Sequence, residues 1–198
     1  MYKCIFFSFL IFCCSLPSYS QKLAVTVKYV IAGEKSNGNN IYYGPGVELN
    51  WDDFKGKPIE SSDAAAITSA GFGVKLSFKG AETGSNLLIA VSCSFSRKDS
   101  WVKTNNKTSY ILNHEQRHFD LAYIHTLRFI NKLQNANFTN TNYASVIEKL
   151  YNETATEMAE VQNEYDAETD HSRKPGKQAE WNAKIGKLLG SVAKSESL

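Results

Sequence analysis

The sequence predicts an α+β fold, with an N-terminal antiparallel β-sheet followed by a C-terminal half of three helices. Apolar residues alternate with polar ones across residues 22–100 and recur at helical spacing across residues 105–195. The two patterns occupy separate halves of the chain instead of alternating, which is typical of α+β proteins. A chain of 198 residues, 42% of them hydrophobic, is long enough for one core. We therefore expect residues 21–198 to form a single domain.

Residues 1–20 have the layout of a secretory signal peptide. Lys3 precedes an almost wholly apolar run, and a Pro and small residues ending at Ser20 follow it. The run is too short to span a membrane. We expect cleavage before Gln21 and export of residues 21–198 to the periplasm or out of the cell.

The charge balance argues against nucleic acid and anionic membranes as partners. The chain has 22 basic and 20 acidic residues, and loss of residues 1–20 removes only Lys3 from this count. The same cleavage removes three of the four cysteines and leaves Cys93 alone, without an internal disulfide. Cys93 lies on the apolar face of a predicted strand, so we expect a buried hydrophobic residue and not a nucleophile.

The strands of the first half are predicted from period-two alternation. The first runs from about Leu23 to Ile31, and turn-forming residues follow at 35–40 and 43–46. Two later stretches, 74–78 and 87–95, alternate in the same way and are separated by the loop 79–86. These two stretches predict an antiparallel hairpin with a long loop.

Three helices are predicted in the second half. The first extends from about Ser109 to Leu133 without Gly or Pro, and the second from about Tyr143 to Glu168. The sequence SRKPGK at 172–177 ends the second pattern. The third helix carries the apolar positions Trp181, Ile185, Leu188 and Leu189.

The first helix contains the motif H-E-x-x-H, formed by His114, Glu115 and His118. Residues four apart project from the same side of a helix, so both imidazoles can reach one metal ion. Glu115 lies about 100° around the helix, where its carboxylate can flank that ion without binding it. Zinc in such a site acidifies a water molecule, and an adjacent carboxylate can accept its proton.

His125 lies seven residues beyond His118 and points in nearly the same direction. It is displaced by about 10 Å along the axis, because a helix rises 1.5 Å per residue. One straight helix cannot bring all three imidazoles to one ion. We therefore predict that His125 packs within the protein and that the third ligand comes from a later helix.

The residues leave several candidates for that third ligand. Glu157, Glu164 and Glu168 lie beside the apolar stripe of the second helix, whereas Asp166 faces the other way if that helix is regular. A glutamate there would reproduce the gluzincin arrangement. His171, near the predicted end of the second helix, is the other candidate, because neutral imidazole is a favoured zinc ligand.

Five segments in this order, LNWDDFKGKP, AAITSAGFGV, SWV, LNHEQRHFDLA and YDAETDHS, resemble the bacterial family catalogued as domain of unknown function 922. The family is grouped by its motif with zincin-like peptidases, and the resemblance spans about Asn50 to Trp181. Where the family often has Gly after its last histidine, this chain has Ser172. The family pattern falls here on Trp51, Phe54, Gly56, His114, Glu115, His118, Tyr165, Asp166, Thr169 and His171.

The end of this pattern is also similar to SprT-like zinc proteins, in which a later histidine is the third ligand. This similarity favours His171 over a glutamate. For Trp51 and Phe54 two roles are open, a rim that grips substrate or a plug at the end of the sheet, and we favour the plug.

We therefore expect an exported zinc-dependent hydrolase, in particular a peptidase acting on a peptide or protein. His114, His118 and His171 would bind Zn²⁺, Glu115 would be the general base, and Tyr165 would stabilise the oxyanion. An amidase acting on cell-wall peptides would use the same metal chemistry. The alternative from another class is a non-catalytic envelope protein that keeps zinc for structure or binds a partner. A cleft beside Glu115 favours the enzyme, and a sealed core there favours the alternative.

Overall fold

The protein is described by a computed structural model, which covers residues 23–31, 38–79 and 86–196. The predicted signal peptide, residues 1–20, and most of the loop at 79–86 lie outside these ranges. The strands are β1 (Ala24–Tyr29), β2 (Asn40–Tyr42), β3 (Ala66–Ile67), β4 (Ala70–Lys79), β5 (Asn86–Ser96) and β6 (Trp101–Val102). The helices are α1 (Ser109–Gln134), α2 (Tyr143–Thr169) and α3 (Pro175–Glu196).

The α+β class is confirmed, and the sheet is mixed instead of wholly antiparallel. β4 and β5 form the predicted antiparallel hairpin, in which Ala70 pairs with Phe95 and Lys79 with Asn86. β2 is also antiparallel to β5, but β1 runs parallel to it over Ala24–Tyr29. The reason is that β1 and β2 pair with different parts of one edge of β5, and the chain direction is reversed between the two strands.

α1 is the central element of the domain. One of its sides packs on the sheet, where Phe129, Ile130 and Leu133 meet buried residues of β5 such as Ile89 and Val91. Another side packs on the C-terminal helix through Leu121 and Ile124. Those two residues join a separate buried cluster with Tyr165, Trp181 and Ile185. Because α1 is covered on both sides, residues in its first turns lie between the sheet and the other two helices.

The segment around Phe54 closes one end of this core. Phe54 is buried, with its ring 5.1 Å from that of Phe95 and 5.0 Å from that of Trp51. Gly56 follows where a Cβ atom would come within 2.8 Å of two backbone carbonyl oxygens, so only glycine fits. Trp51 and Phe54 thus plug the end of the sheet, as favoured from the sequence.

Cys93 is fully buried, as predicted. Burial raises the pKa of its thiol to about 12, which excludes a nucleophilic thiolate at neutral pH. Within the described ranges, no helix combines the length and apolar character needed to cross a membrane.

Candidate metal centre

α1 brings His114 and His118 together. The helix begins after Thr108, whose side-chain oxygen accepts a hydrogen bond from the amide of Ile111 at 3.2 Å. His114 and His118 lie six and ten residues after Thr108 and project from one side of the helix. Their Nε2 atoms are 3.2 Å apart. Both side chains are buried. The predicted pairing of these two imidazoles is therefore present.

Asp166 of α2 completes a cluster with the two histidines. Its Oδ1 atom lies 3.1 Å from Nε2 of His114 and 2.9 Å from Nε2 of His118. Among the described residues these three form a group that could hold a metal ion. Zinc bonds of about 2.0–2.1 Å in a tetrahedron separate the ligand atoms by about 3.3 Å, close to the three distances observed.

The expectation that Asp166 faces away from the site is wrong. The apolar stripe of α2 changes partner along the helix, because Val161 and Tyr165 pack against α3 and its Trp181. That packing turns the polar flank of α2, with Gln162 and Asp166, towards α1. The sequence feature that could have indicated this orientation is the four-residue spacing of Gln162 and Asp166. It equals the spacing of the two histidines on α1.

Two glutamines contact the histidine rings at their Nδ1 atoms, the ring nitrogens that do not contact Asp166. Oε1 of Gln178 on α3 lies 2.8 Å from Nδ1 of His114, and Oε1 of Gln162 on α2 contacts Nδ1 of His118. An amide oxygen only accepts hydrogen bonds, so both Nδ1 atoms carry a proton. Each Nε2 atom donates to Asp166 when its ring is protonated, and it offers a lone pair to a metal ion when its ring is neutral. Backing of a ligand histidine through its second nitrogen is a general feature of metal sites. Neither glutamine was predicted.

Each glutamine is itself held at its amide nitrogen. Gln178 is 1% exposed and donates to the hydroxyl of Tyr165 at 2.6 Å and to Oδ1 of Asn182 at 2.9 Å. Gln162 donates to the backbone carbonyl of His118 at 3.0 Å. The orientation of both imidazoles is thus fixed by all three helices.

Tyr165 lies behind His114 and does not line the cleft. It is fully buried, and its ring stacks on that of His114 with centroids 4.6 Å apart. Its hydroxyl accepts from Gln178 and donates to the carbonyl of His114 at 3.3 Å. Burial raises the pKa of this phenol, so it stays protonated. These contacts favour a supporting role over the predicted oxyanion role.

Glu115 lies beside the cluster with an unsatisfied oxygen. The residue is 3% exposed, and its Oε2 atom is buried without a hydrogen-bond partner. Thr68 fixes this part of α1 by donating to the backbone carbonyl of Glu115 at 3.2 Å. An orphaned carboxylate oxygen is costly in a core unless a ligand satisfies it. Glu115 also lines a cleft that could hold such a ligand.

The cleft joins these groups. It has a volume of about 230 Å³, and its lining includes His114, Glu115, His118, Asp166 and His171. Residues 65–70 form a further wall, and apart from Ile67 their side chains are small. The site is therefore open beside Glu115 instead of sealed.

The ionisable groups of the site influence one another. Burial raises the pKa of Glu115, although the charges of both histidines act against it. For His118, burial lowers the pKa, but the hydrogen bond to Asp166 and the charge of Glu115 outweigh it, so the pKa is raised. Burial also acts on Asp166, yet its hydrogen bonds with His114 and His118 hold its pKa well below the usual range.

The other candidates for the third ligand lie outside the cluster. His171 lines the cleft, and its Nδ1 atom lies 3.6 Å from Oδ2 of Asp166, but it is outside the group of three. Glu157 pairs with Lys132 at 2.8 Å on the surface. Glu168 accepts from the indole of Trp181, and Glu164 is exposed. These three glutamates project from α2 on the side away from Gln162 and Asp166.

His125 is a core histidine, as predicted. It is 1% exposed, its Nδ1 atom lies 2.8 Å from the carbonyl of Leu121, and its Nε2 accepts from Arg128 at 3.1 Å. Both ring nitrogens are therefore used within the protein. Burial lowers the pKa of His125, which keeps it neutral.

Comparison with known proteins gives a family similarity over the part of the chain that carries the site. Residues 91–172 match the family described as bacterial protein of unknown function (DUF922). The matched range runs from β5 to the turn after α2 and includes His114, Glu115, His118, Asp166 and His171. No curated protein and no solved structure matches the chain.

Proposed function

We propose that this protein is an exported zinc-dependent hydrolase, in particular a peptidase, with His114, His118 and Asp166 as metal ligands. The observation that supports this proposal best is the unpartnered Oε2 atom of Glu115, a buried residue that lines the same cleft as the His–His–Asp cluster. Three protein ligands and an open side are characteristic of catalytic zinc, whereas structural zinc is closed by four.

The donor set also supports zinc. Imidazole nitrogen and carboxylate oxygen are ordinary zinc ligands, and the two glutamines leave both Nε2 atoms free to bind. A bound zinc ion would polarise the substrate carbonyl and acidify the attacking water. Asp166 in place of the expected His171 adds a negative charge, which partly neutralises the ion.

Glu115 would then act as the general base. Its carboxylate accepts a proton as the water oxygen bonds to the carbonyl carbon, and the same proton passes to the amine nitrogen as the carbon–nitrogen bond breaks. Water is consumed, and one amide becomes a carboxylic acid and an amine.

The test combines metal content with hydrolysis of a fluorogenic peptide library. The parent protein should bind one zinc ion per chain, which Asp166→Asn and His118→Ala should each lose. Glu115→Gln should retain zinc and lose hydrolysis, because the amide cannot accept the proton. Retained hydrolysis in Glu115→Gln would disprove its role. One zinc ion without hydrolysis of the library would favour the non-catalytic alternative, and no zinc would remove the metal site.

A further inference from the structure

The two oxygens of Asp166 face different neighbours. Oδ1 lies at the centre of the cluster, 3.1 and 2.9 Å from the two histidine Nε2 atoms, whereas Oδ2 lies 3.6 Å from Nδ1 of His171. We propose that His171 is a positioning residue that donates from Nδ1 to Oδ2 and keeps Asp166 a one-oxygen ligand. This inference rests on the proposed function, because it takes the cluster to be the metal site.

A left-handed turn places His171 there. Asp170, His171 and Ser172 have φ angles of 51°, 49° and 72°, a region that residues other than glycine rarely adopt. A regular helix would instead carry residue 171 about 140° around the axis from Asp166. The turn reverses the chain, and the amide of His171 donates to the carbonyl of Asp166 at 3.0 Å.

Neighbouring contacts hold the turn in place. The amide of Lys174 donates to the carbonyl of Thr169 at 2.9 Å, and Arg173 pairs with Asp170 at 2.8 Å. Arg173 also donates to the carbonyl of Asp63 at 3.3 Å, which connects the turn to the chain before β3. His171 is therefore presented by an anchored backbone. Three successive strained residues persist only where surrounding structure holds them, and such strain is concentrated at functional sites.

The contact has a consequence for coordination. If Asp166 binds through Oδ1 alone, the site has three protein ligand atoms, and a position remains for water. If Oδ2 also bound, that position would be crowded. A hydrogen bond to the non-binding oxygen opposes this, since ligand carboxylates are oriented by such outer contacts. The 3.6 Å separation is within reach of a small rotation of the imidazole, whose side chain is 38% exposed.

The position of His171 differs from that of a metal ligand. It is outside the group whose ligand atoms lie within 4.8 Å of one another. Its ion-pair contact with the cluster is with Oδ2, the outer oxygen of Asp166. Its effect on the metal would therefore be indirect.

The test compares His171→Asn with His171→Gly in the full chain. Both residues accept a positive φ, so the turn is preserved, but only asparagine carries an N–H donor where Nδ1 stands. Zinc affinity is measured by chelator competition, and coordination by the visible spectrum of the Co²⁺-loaded protein. We expect one metal ion per chain in both variants. His171→Gly should bind zinc about 10–100-fold more weakly, because the contact that orients Asp166 is lost. Its Co²⁺ form should absorb less, because Asp166 then binds through two oxygens and the coordination number rises. His171→Asn should resemble the parent.

Several results would overturn the inference. Parent-like affinity and spectrum in His171→Gly would show that His171 does not position Asp166, and would leave the proposed function intact. Complete loss of metal in both variants, as expected for Asp166→Asn, would make His171 a ligand. Equal defects in both variants would exclude the donor as the cause. A parent protein without metal would remove the proposed function together with this inference.

Discussion

Replacement of Gln178 by Met should weaken both the fold and the metal site. Methionine has nearly the same shape but removes the contacts to His114, Tyr165 and Asn182. The Nδ1–H of His114 then remains buried without an acceptor, which costs about 1–3 kcal/mol, and the lost bond to the Tyr165 hydroxyl adds about 1 kcal/mol. The Asn182 contact is partly exposed and contributes little. We therefore expect the free energy of unfolding of the metal-free protein to fall by about 2–4 kcal/mol.

The assay is urea unfolding in the presence of a chelator, followed by zinc competition on the folded variant. Zinc affinity should fall about 10–100-fold, because His114 loses the contact that fixes its ring. Gln134→Met is the matched control, since Gln134 is exposed at the end of α1 and should change stability by less than about 0.5 kcal/mol. Parent-like stability and zinc affinity in Gln178→Met would refute the reasoning that α3 supports the site.

Three further outcomes are expected. Gly56→Ala should destabilise the protein by about 1–3 kcal/mol, because its Cβ would meet two carbonyl oxygens at 2.8 Å. An unchanged unfolding midpoint would contradict this. Ser172→Gly should stabilise it by about 0.5–1 kcal/mol, since relief of the φ of 72° exceeds the added chain entropy, and a lower midpoint would count against a strained turn. Zinc affinity should fall as pH falls below the raised pKa of His118, because the proton must leave before the metal binds. The free energy of unfolding of the metal-free protein should change with pH in the opposite direction. Protonated His118 stabilises this fold below about pH 6.5, and the stabilisation is lost as the pH rises through the raised pKa. Chelator competition and unfolding at pH 6 to 8 test the two expectations, and flat profiles would contradict them.

The elements with long periodic patterns could be predicted from the sequence. α1, α2, β4 and β5 each show at least three apolar residues at a regular spacing, and the structure contains all four. The short strands β2, β3 and β6 have two or three residues, too few to show a period. The direction of β1 was inaccessible for another reason. It follows from β1 sharing an edge of β5 with the antiparallel β2, and this pairing is made by contacts distant in sequence.

The same division applies to the candidate site. His114, Glu115 and His118 are related by the geometry of one helix, so their spacing is sufficient to place them together. Asp166 depends on how α2 is rotated against α1 and α3. That rotation is set by packing around Tyr165 and Trp181, which no single-helix pattern contains. The glutamine supports follow from this packing as well.

The separation of the ligands along the chain has a mechanical consequence. His118 and Asp166 are 48 residues apart, yet their side chains meet. An ion bound between them would act as a cross-link that closes this loop, comparable with a disulfide in restricting the unfolded chain. The described part of the chain has Cys93 as its free cysteine and forms no disulfide there. The supply of metal would then determine how long the folded protein survives proteases around it.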